Sequence, residues 1–252
     1  MATQQRRPQR RPQKTTKPPT QKRRPGQPKQ VPSKQAQAKQ AQKVVFDASA
    51  TAPEEPRIFR LGVVPGATPG KWVDAWKQRM PHVALEVVRI EVADQDAAFA
   101  DVDAALVRLP LGAEITDSLH VISLYDEVPM VIVAADSHLL AADELGIDDL
   151  VGEVLIELRD DALPTFEAPG TVAPRFASMT TVDAIATAAS GVGIVIAPMS
   201  LARLHHRKDV GHRRLVDGPV STVALAWERE RTTPDVETFV GIVRGRTAQS
   251  SR

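Results

Sequence analysis

His205, His206 and His212 stand close together in the chain, and clustered imidazoles invite a metal reading. Their neighbours are Arg203, Arg207, Arg213 and Arg214, with Asp209 as the only nearby carboxylate. That local field repels a cation, so the stretch reads as a solvated basic patch. Asp126 and Glu127 form a carboxylate pair beside Tyr125, as acid–base chemistry needs. Adjacent side chains on an extended segment project to opposite faces, however, so these two do not share a task. The sequence has no Gly-x-Ser-x-Gly elbow, no Gly-x-x-x-x-Gly-Lys phosphate loop and no His-Glu-x-x-His pair. Gly191-Val192-Gly193 ends a helical pattern instead of opening one and lacks the third glycine of a dinucleotide fingerprint. With no cysteine in the chain, thiolate catalysis, thiolate metal ligation and disulfides are excluded. The expectation is a protein with no catalytic residue, no metal and no cofactor.

The elements that carry these groups alternate in type. Residues 59–64, 83–90, 103–108, 120–124 and 153–158 read as strands, and 128–134 is a continuous apolar run of the kind buried in a parallel sheet. Helical spacing marks 71–79, where Trp72 and Trp76 fall on one face and suit core packing or a dimer contact. Thr68 before Pro69 suits a cap followed by the first helical position. Shorter helical patches lie at 142–145 and 147–151. Thr180-Thr181 opens the strongest helix, 182–189, with Asp183 in its first turn. Gly191 ends that helix, a strand follows at 193–197, and a last strand at 220–227 precedes a helix at 234–243. Strands alternating with helices predict an α/β fold with mainly parallel sheets.

The charge is divided between two parts of the chain. Residues 1–43 carry 13 Lys/Arg and no acid, whereas the other 209 residues hold 19 Lys/Arg and 31 Asp/Glu, a net of −12. Seven prolines and few large apolar groups predict a disordered arm over 1–43, with 44–57 as a linker. Such an arm attracts polyanions through counterion release, and Arg6, Arg7, Arg10, Arg11, Lys22, Arg23 and Arg24 are its candidate nucleic-acid contacts. A solubilising extension with nonspecific contacts is the equal alternative. No apolar stretch reaches the roughly 18–20 residues needed to span a bilayer. The basic N-terminus is followed by no apolar signal region, so a cytoplasmic protein without membrane contact is expected.

Four stretches carry a family likeness: the strand 59–64 leading through a helix to Met80-Pro81-His82-Val83-Ala84-Leu85-Glu86; Val102-Asp103-Ala104-Ala105-Leu106-Val107; Leu124-Tyr125-Asp126-Glu127-Val128-Pro129 through His138-Leu139; and 181–198 with its Gly191-Val192-Gly193-Ile194 turn. In this order and spacing they resemble the effector-binding domain of LysR-type transcriptional regulators, over about residues 58–245. The resemblance implies a type 2 periplasmic-binding fold, two α/β lobes joined by two crossings, with lobe I at 58–126 plus 225–252 and lobe II at 127–224. It implies an anionic small-molecule effector in the cleft, bound by Gly66, Ala67 and Thr68 from lobe I and Thr180 and Thr181 from lobe II. Arg108, at the end of a lobe I strand, is the candidate counter-ion. Capping alone explains each threonine as well, and a solvated surface charge explains Arg108. Residues 1–57 supply neither the winged helix-turn-helix nor the linker helix of such regulators, and 92–101 is short for the helix expected there. The leading expectation is an effector-binding protein connected with transcription, as a possible homodimer. The alternatives are a nucleic-acid-associated protein acting through its arm, and a partner that pairs with intact regulators.

Overall fold

The computed structural model describes residues 56–245. The chain builds β1 (Arg57–Val63), α1 (Gly70–Arg79), β2 (Val83–Arg89), β3 (Ala104–Leu109), α2 (Ala113–Thr116) and β4 (Leu119–Glu127). It then crosses to β5 (Pro129–Ala134), β6 (Glu144–Leu145), α3 (Thr181–Ala188), β7 (Val195–Pro198), α4 (Met199–Leu204) and β8 (Val210–Leu215). A second crossing leads to β9 (Ser221–Glu228) and α5 (Pro234–Val243). The first sheet has the order β2-β1-β3-β9-β4 and the second β6-β8-β5-β7. Each sheet is the spine of one lobe, and the crossings lie at 127–129 and 215–221. The return into the first sheet thus begins at Ser221, inside the 127–224 stretch expected for lobe II.

Lobe I is held by an aromatic core. Trp72 and Trp76 are both buried, which makes them core residues. Phe59 stacks on Trp76 at 4.7 Å between centroids and meets Phe239 of α5 at 5.1 Å. The one polar atom this places inside is satisfied, because the Trp76 indole N–H donates to the Val83 carbonyl at 3.0 Å. On the other face of the sheet, residues 92–101 form two short 3₁₀ turns, and Phe99 fills the core beside Val102, Val107 and Leu119.

Lobe II packs aliphatic side chains. Every residue of β5 is buried, yet the strand runs antiparallel to both β7 and β8, correcting the parallel expectation. Burial on both faces makes such a run apolar whatever the direction of its neighbours. Ile132, Ile185, Ala188 and Val195 fill one side of the sheet, and Val133, Leu139, Leu150 and Ile196 the other. The patch at 142–145 is not helical but supplies β6, and 147–151 is a 3₁₀ turn. Residues 153–158 make only isolated bridges, such as Leu155 to Ile194 and Leu158 to Met179. Among the described residues no helix is long and apolar enough to cross a membrane.

Candidate functional site

The β1–α1 loop of lobe I faces α4 of lobe II across a cleft of about 640 Å³. Gly66, Ala67 and Thr68 line one wall, Met199, Ser200, Arg203 and Leu204 the other, and residues 125–128, where β4 runs into the first crossing, the floor. The two walls touch at Gly66, which has φ +83; a Cβ there would lie 2.7 Å from Ser200 Oγ and 3.2 Å from Arg108 Nη2. Glycine is required at this point for both backbone and space. The residue in the N-cap position of α1 is Pro69, and no side chain caps the helix, so the cap reading of Thr68 is corrected. The proline leaves the Thr68 hydroxyl one residue too early to reach the first helical amides as a cap. Thr68 instead lines the cleft. Arg203 is exposed on the facing wall and has no ion pair among the described residues.

Arg108 is not a solvated charge; it is one of the most deeply buried side chains, 2% exposed. Its Nε donates to Glu127 Oε2 at 2.8 Å and its Nη2 to Glu127 Oε1 at 3.4 Å. Nη2 also reaches the Pro65 carbonyl at 2.8 Å and Ser200 Oγ at 3.2 Å. A buried guanidinium requires an anion close by, and Glu127 supplies it from the inward face of β4. Asp126 turns the other way and accepts from the Thr222 hydroxyl at 2.7 Å. Period-two alternation therefore separates the adjacent carboxylates, as the extended segment requires. The Tyr125 phenol is pushed above its ordinary value by burial first and by the Glu127 carboxylate second, with Arg108 opposing.

The lobe II threonines lie apart from the cleft lining. Thr180 caps α3, accepting from the Asp183 amide at 3.3 Å and donating its hydroxyl to Asp183 Oδ2 at 2.8 Å. Thr181 is buried, and both its amide and its hydroxyl donate to Asp160 Oδ1, at 2.7 and 2.9 Å. An internal carboxylate thus occupies the donors that the sequence offers to a ligand anion. Asp160 also acts on His205 at the end of α4. Burial lowers the His205 imidazole below its ordinary value, Asp160 pulls it back up, and Arg89 at the end of β2 lowers it.

The histidine-rich stretch becomes the end of α4 and the strand β8, and among the described residues no group of three or more His, Asp or Glu is placed to hold a metal. Its arginines are partnered more than a solvated patch implies. Arg207 pairs with Asp209 at 2.6 Å, Arg214 with Glu144 at 3.4 Å, and Arg213 donates to the Leu140 and Ala142 carbonyls. The tail residues Arg6, Arg7, Arg10, Arg11, Lys22, Arg23 and Arg24 lie outside the described residues. Sequence reasoning missed Ser200, Arg203 and Asp160. Arg203 was hidden among neighbouring arginines, whereas Glu127 carried a signal: a charge on the inward face of a strand demands a buried partner.

Two α/β lobes joined by two crossings, with a cleft between the β1–α1 loop and a helix of the second lobe, define a type 2 periplasmic-binding architecture. The chain matches the LysR substrate binding domain over residues 54–248 and belongs to that family. Among solved structures it is similar to the BenM effector binding domain with its effector benzoate, at 18% identity and TM-score 0.61, covering 75% of this chain and 91% of that one. It is also similar to the reduced OxyR regulatory domain from Pseudomonas aeruginosa, at 20% identity and TM-score 0.56 over 75% and 95% of the two chains. Full-length BenM aligns at 18% identity and TM-score 0.59, over 75% of this chain and 69% of its own. At these identities the likeness speaks for the fold. No curated protein matches the chain in a sequence search.

Proposed function

We propose that this domain binds a small anionic effector in the cleft and serves as the sensing part of a transcriptional response. The observation that carries this reading is Arg203, an exposed cation without an ion pair among the described residues, set across the cleft from Gly66, Ala67 and Thr68. A carboxylate bridging the Thr68 side to Arg203 gains charge-assisted hydrogen bonds on both walls. Apolar lining from Ala67, Val128, Met199 and Leu204 favours an effector with a hydrocarbon body. Benzoate, the effector in the BenM structure, is therefore the first probe. Binding without catalysis fits this chemistry, since the floor carboxylates are committed to Arg108 and Thr222.

Isothermal titration with benzoate and a panel of aliphatic dicarboxylates tests the reading. It stands if a ligand binds the parent chain and Thr68→Val or Arg203→Gln weakens it. It fails if every ligand found binds both variants as well as the parent.

A second activity rests on the charge division of the chain. Residues 1–43 carry +13 against a net −12 in the remainder, so nucleic acid is attracted to the arm and repelled by the body. Gel shifts of the full chain against a chain starting at Ala52 test it. Binding that requires the arm, falls steeply with salt and ignores sequence supports the reading, and equal binding by both chains ends it.

A further inference from the structure

We propose that Arg108 is the latch that sets the angle between the lobes, and with it the width of the cleft. Arg108 belongs to lobe I, yet its guanidinium reaches three separate parts of the molecule: the Pro65 carbonyl at 2.8 Å in the cleft loop, Glu127 at 2.8 Å at the entrance to the first crossing, and Ser200 Oγ at 3.2 Å on α4 of lobe II. A fully buried cation is costly unless its anion is in place, which Glu127 ensures, and each further acceptor biases the molecule toward the arrangement that supplies it.

The latch has a rigid base. The β1–β3 pairing ends at Val63 and Leu106, so it leaves Arg108 without a main-chain partner on that side. The buried Gln95 supplies one, its amide Nε2 donating to the Arg108 carbonyl at 2.9 Å and its Oε1 accepting from the Arg108 amide at 2.9 Å. Gln95 is thus a positioning residue that replaces a strand edge with a side chain. On the other side of the guanidinium, Glu127 is opposite Ser221 in the β4–β9 ladder. These two residues end the first crossing's strand and begin the second crossing's strand, so the Arg108–Glu127 pair grips the hinge where the chain enters and leaves lobe II. The grip on lobe II is lighter, a single hydrogen bond to one hydroxyl, at the point where Gly66 lets the walls meet. A latch that is firm on one lobe and light on the other releases at Ser200.

Arg108 Nη1 and Ser221 Oγ are both buried without a hydrogen-bond partner among protein atoms. The guanidinium therefore has a spare donor with which to take a new acceptor when Ser200 moves away. Release does not require the Glu127 pair to break.

The chain has no cysteine, so two labelling sites can be added cleanly. Spin labels at Lys77→Cys in lobe I and Asp143→Cys in lobe II, both exposed positions, report the lobe separation by double electron–electron resonance in the ligand-free full chain. Ser200→Ala removes the latch contact and leaves the Arg108–Glu127 pair intact. The expected result is a distance distribution that broadens and shifts away from that of the parent, with the melting temperature nearly unchanged. Gly66→Ala, which drives a methyl group against Ser200, shifts it in the same sense. Gln95→Leu, which loosens the base, broadens it less. If Ser200→Ala keeps the parent's distribution, Arg108 is not the latch, whatever the fate of the effector reading. The measurement contains no ligand, so a failure of effector binding leaves its outcome untouched.

Discussion

The two lobes solve the same problem, an acid held against internal donors, in opposite ways. In lobe I the acid is Glu127, buried with Arg108 and closed off from water. In lobe II it is Asp160, partly exposed, accepting from the amide and hydroxyl of Thr181 at the start of α3. The first arrangement is expensive to desolvate and intolerant of loss; the second is cheap, because a helix start already presents free donors and a positive dipole. The cores repeat the contrast, with interlocked aromatic rings behind the first wall and smaller aliphatic side chains behind the second.

The sharpest way to break this comparison is to remove the cation from the lobe I pair and the acid from the lobe II pair. Arg108→Ala leaves Glu127 as an uncompensated buried charge and is expected to destabilise the domain by about 3–5 kcal/mol in chemical denaturation. Replacing both partners with apolar residues, Arg108→Met with Glu127→Leu, recovers most of that loss, because the cost lies in the orphaned charge. Asp160→Ala is expected to cost only about 1–2 kcal/mol, the range for losing a helix-start acceptor. Equal losses for the two single variants would mean that the lobes do not differ in the way described.

Ligand binding gives a smaller effect. Arg203 is exposed, so Arg203→Gln is expected to weaken the cleft's affinity for an anionic ligand by about fivefold, corresponding to roughly 1 kcal/mol for a partly screened ion pair. Thr181→Val is expected to leave that affinity unchanged, because Asp160 already holds both Thr181 donors. Loss of affinity on Thr181→Val would show that a ligand displaces Asp160, and would move the binding wall from α4 to α3.

How much of this was legible in the sequence follows the same division. α5 was readable because Thr233, Pro234 and the 3.6-residue apolar spacing all agree, and the structure starts and ends the helix at Pro234 and Val243. The aromatic face of α1 was readable from the four-residue spacing of Trp72 and Trp76. β8 was not, because its Arg and His residues are part-buried or exposed and the arginines' partners, Glu144 and the Leu140 and Ala142 carbonyls, are distant in the chain. The cleft loop 66–68 could be placed as a loop between strand and helix, but the bond from Arg108 to Ser200 spans 92 residues, and only the folded arrangement of both lobes creates it. Local rules locate donors; they do not say which acid of the same chain has already taken them. Asp160 at Thr181 and Glu127 at Arg108 are two instances of that blindness, one on each lobe.

The smallest expected effect is the most direct comparison of the two lobes, because a single imidazole feels both. His205 ends α4 in lobe II; burial lowers its proton affinity, Asp160 of its own lobe raises it, and Arg89 of lobe I lowers it. A histidine whose folded value lies below that of the unfolded chain binds fewer protons when folded as the pH drops through about 6.5. The stability it contributes is therefore complete above that pH and is lost as the pH falls through it. Arg89→Gln removes a repulsive charge and is expected to raise the His205 value, reducing this loss. Asp160→Asn removes an attractive one and is expected to lower the value further. An NMR titration of the His205 ring resolves both shifts in the intact fold. Arg89 acts from lobe I, so its effect depends on the lobe angle, whereas Asp160 acts within lobe II and does not depend on it. In a Ser200→Ala background that opens the cleft, the Arg89→Gln shift is expected to shrink while the Asp160→Asn shift stays the same. If both shifts survive at full size, the lobes keep their angle without Ser200. If neither variant moves His205, the imidazole lies beyond the reach of either charge and does not report on both lobes.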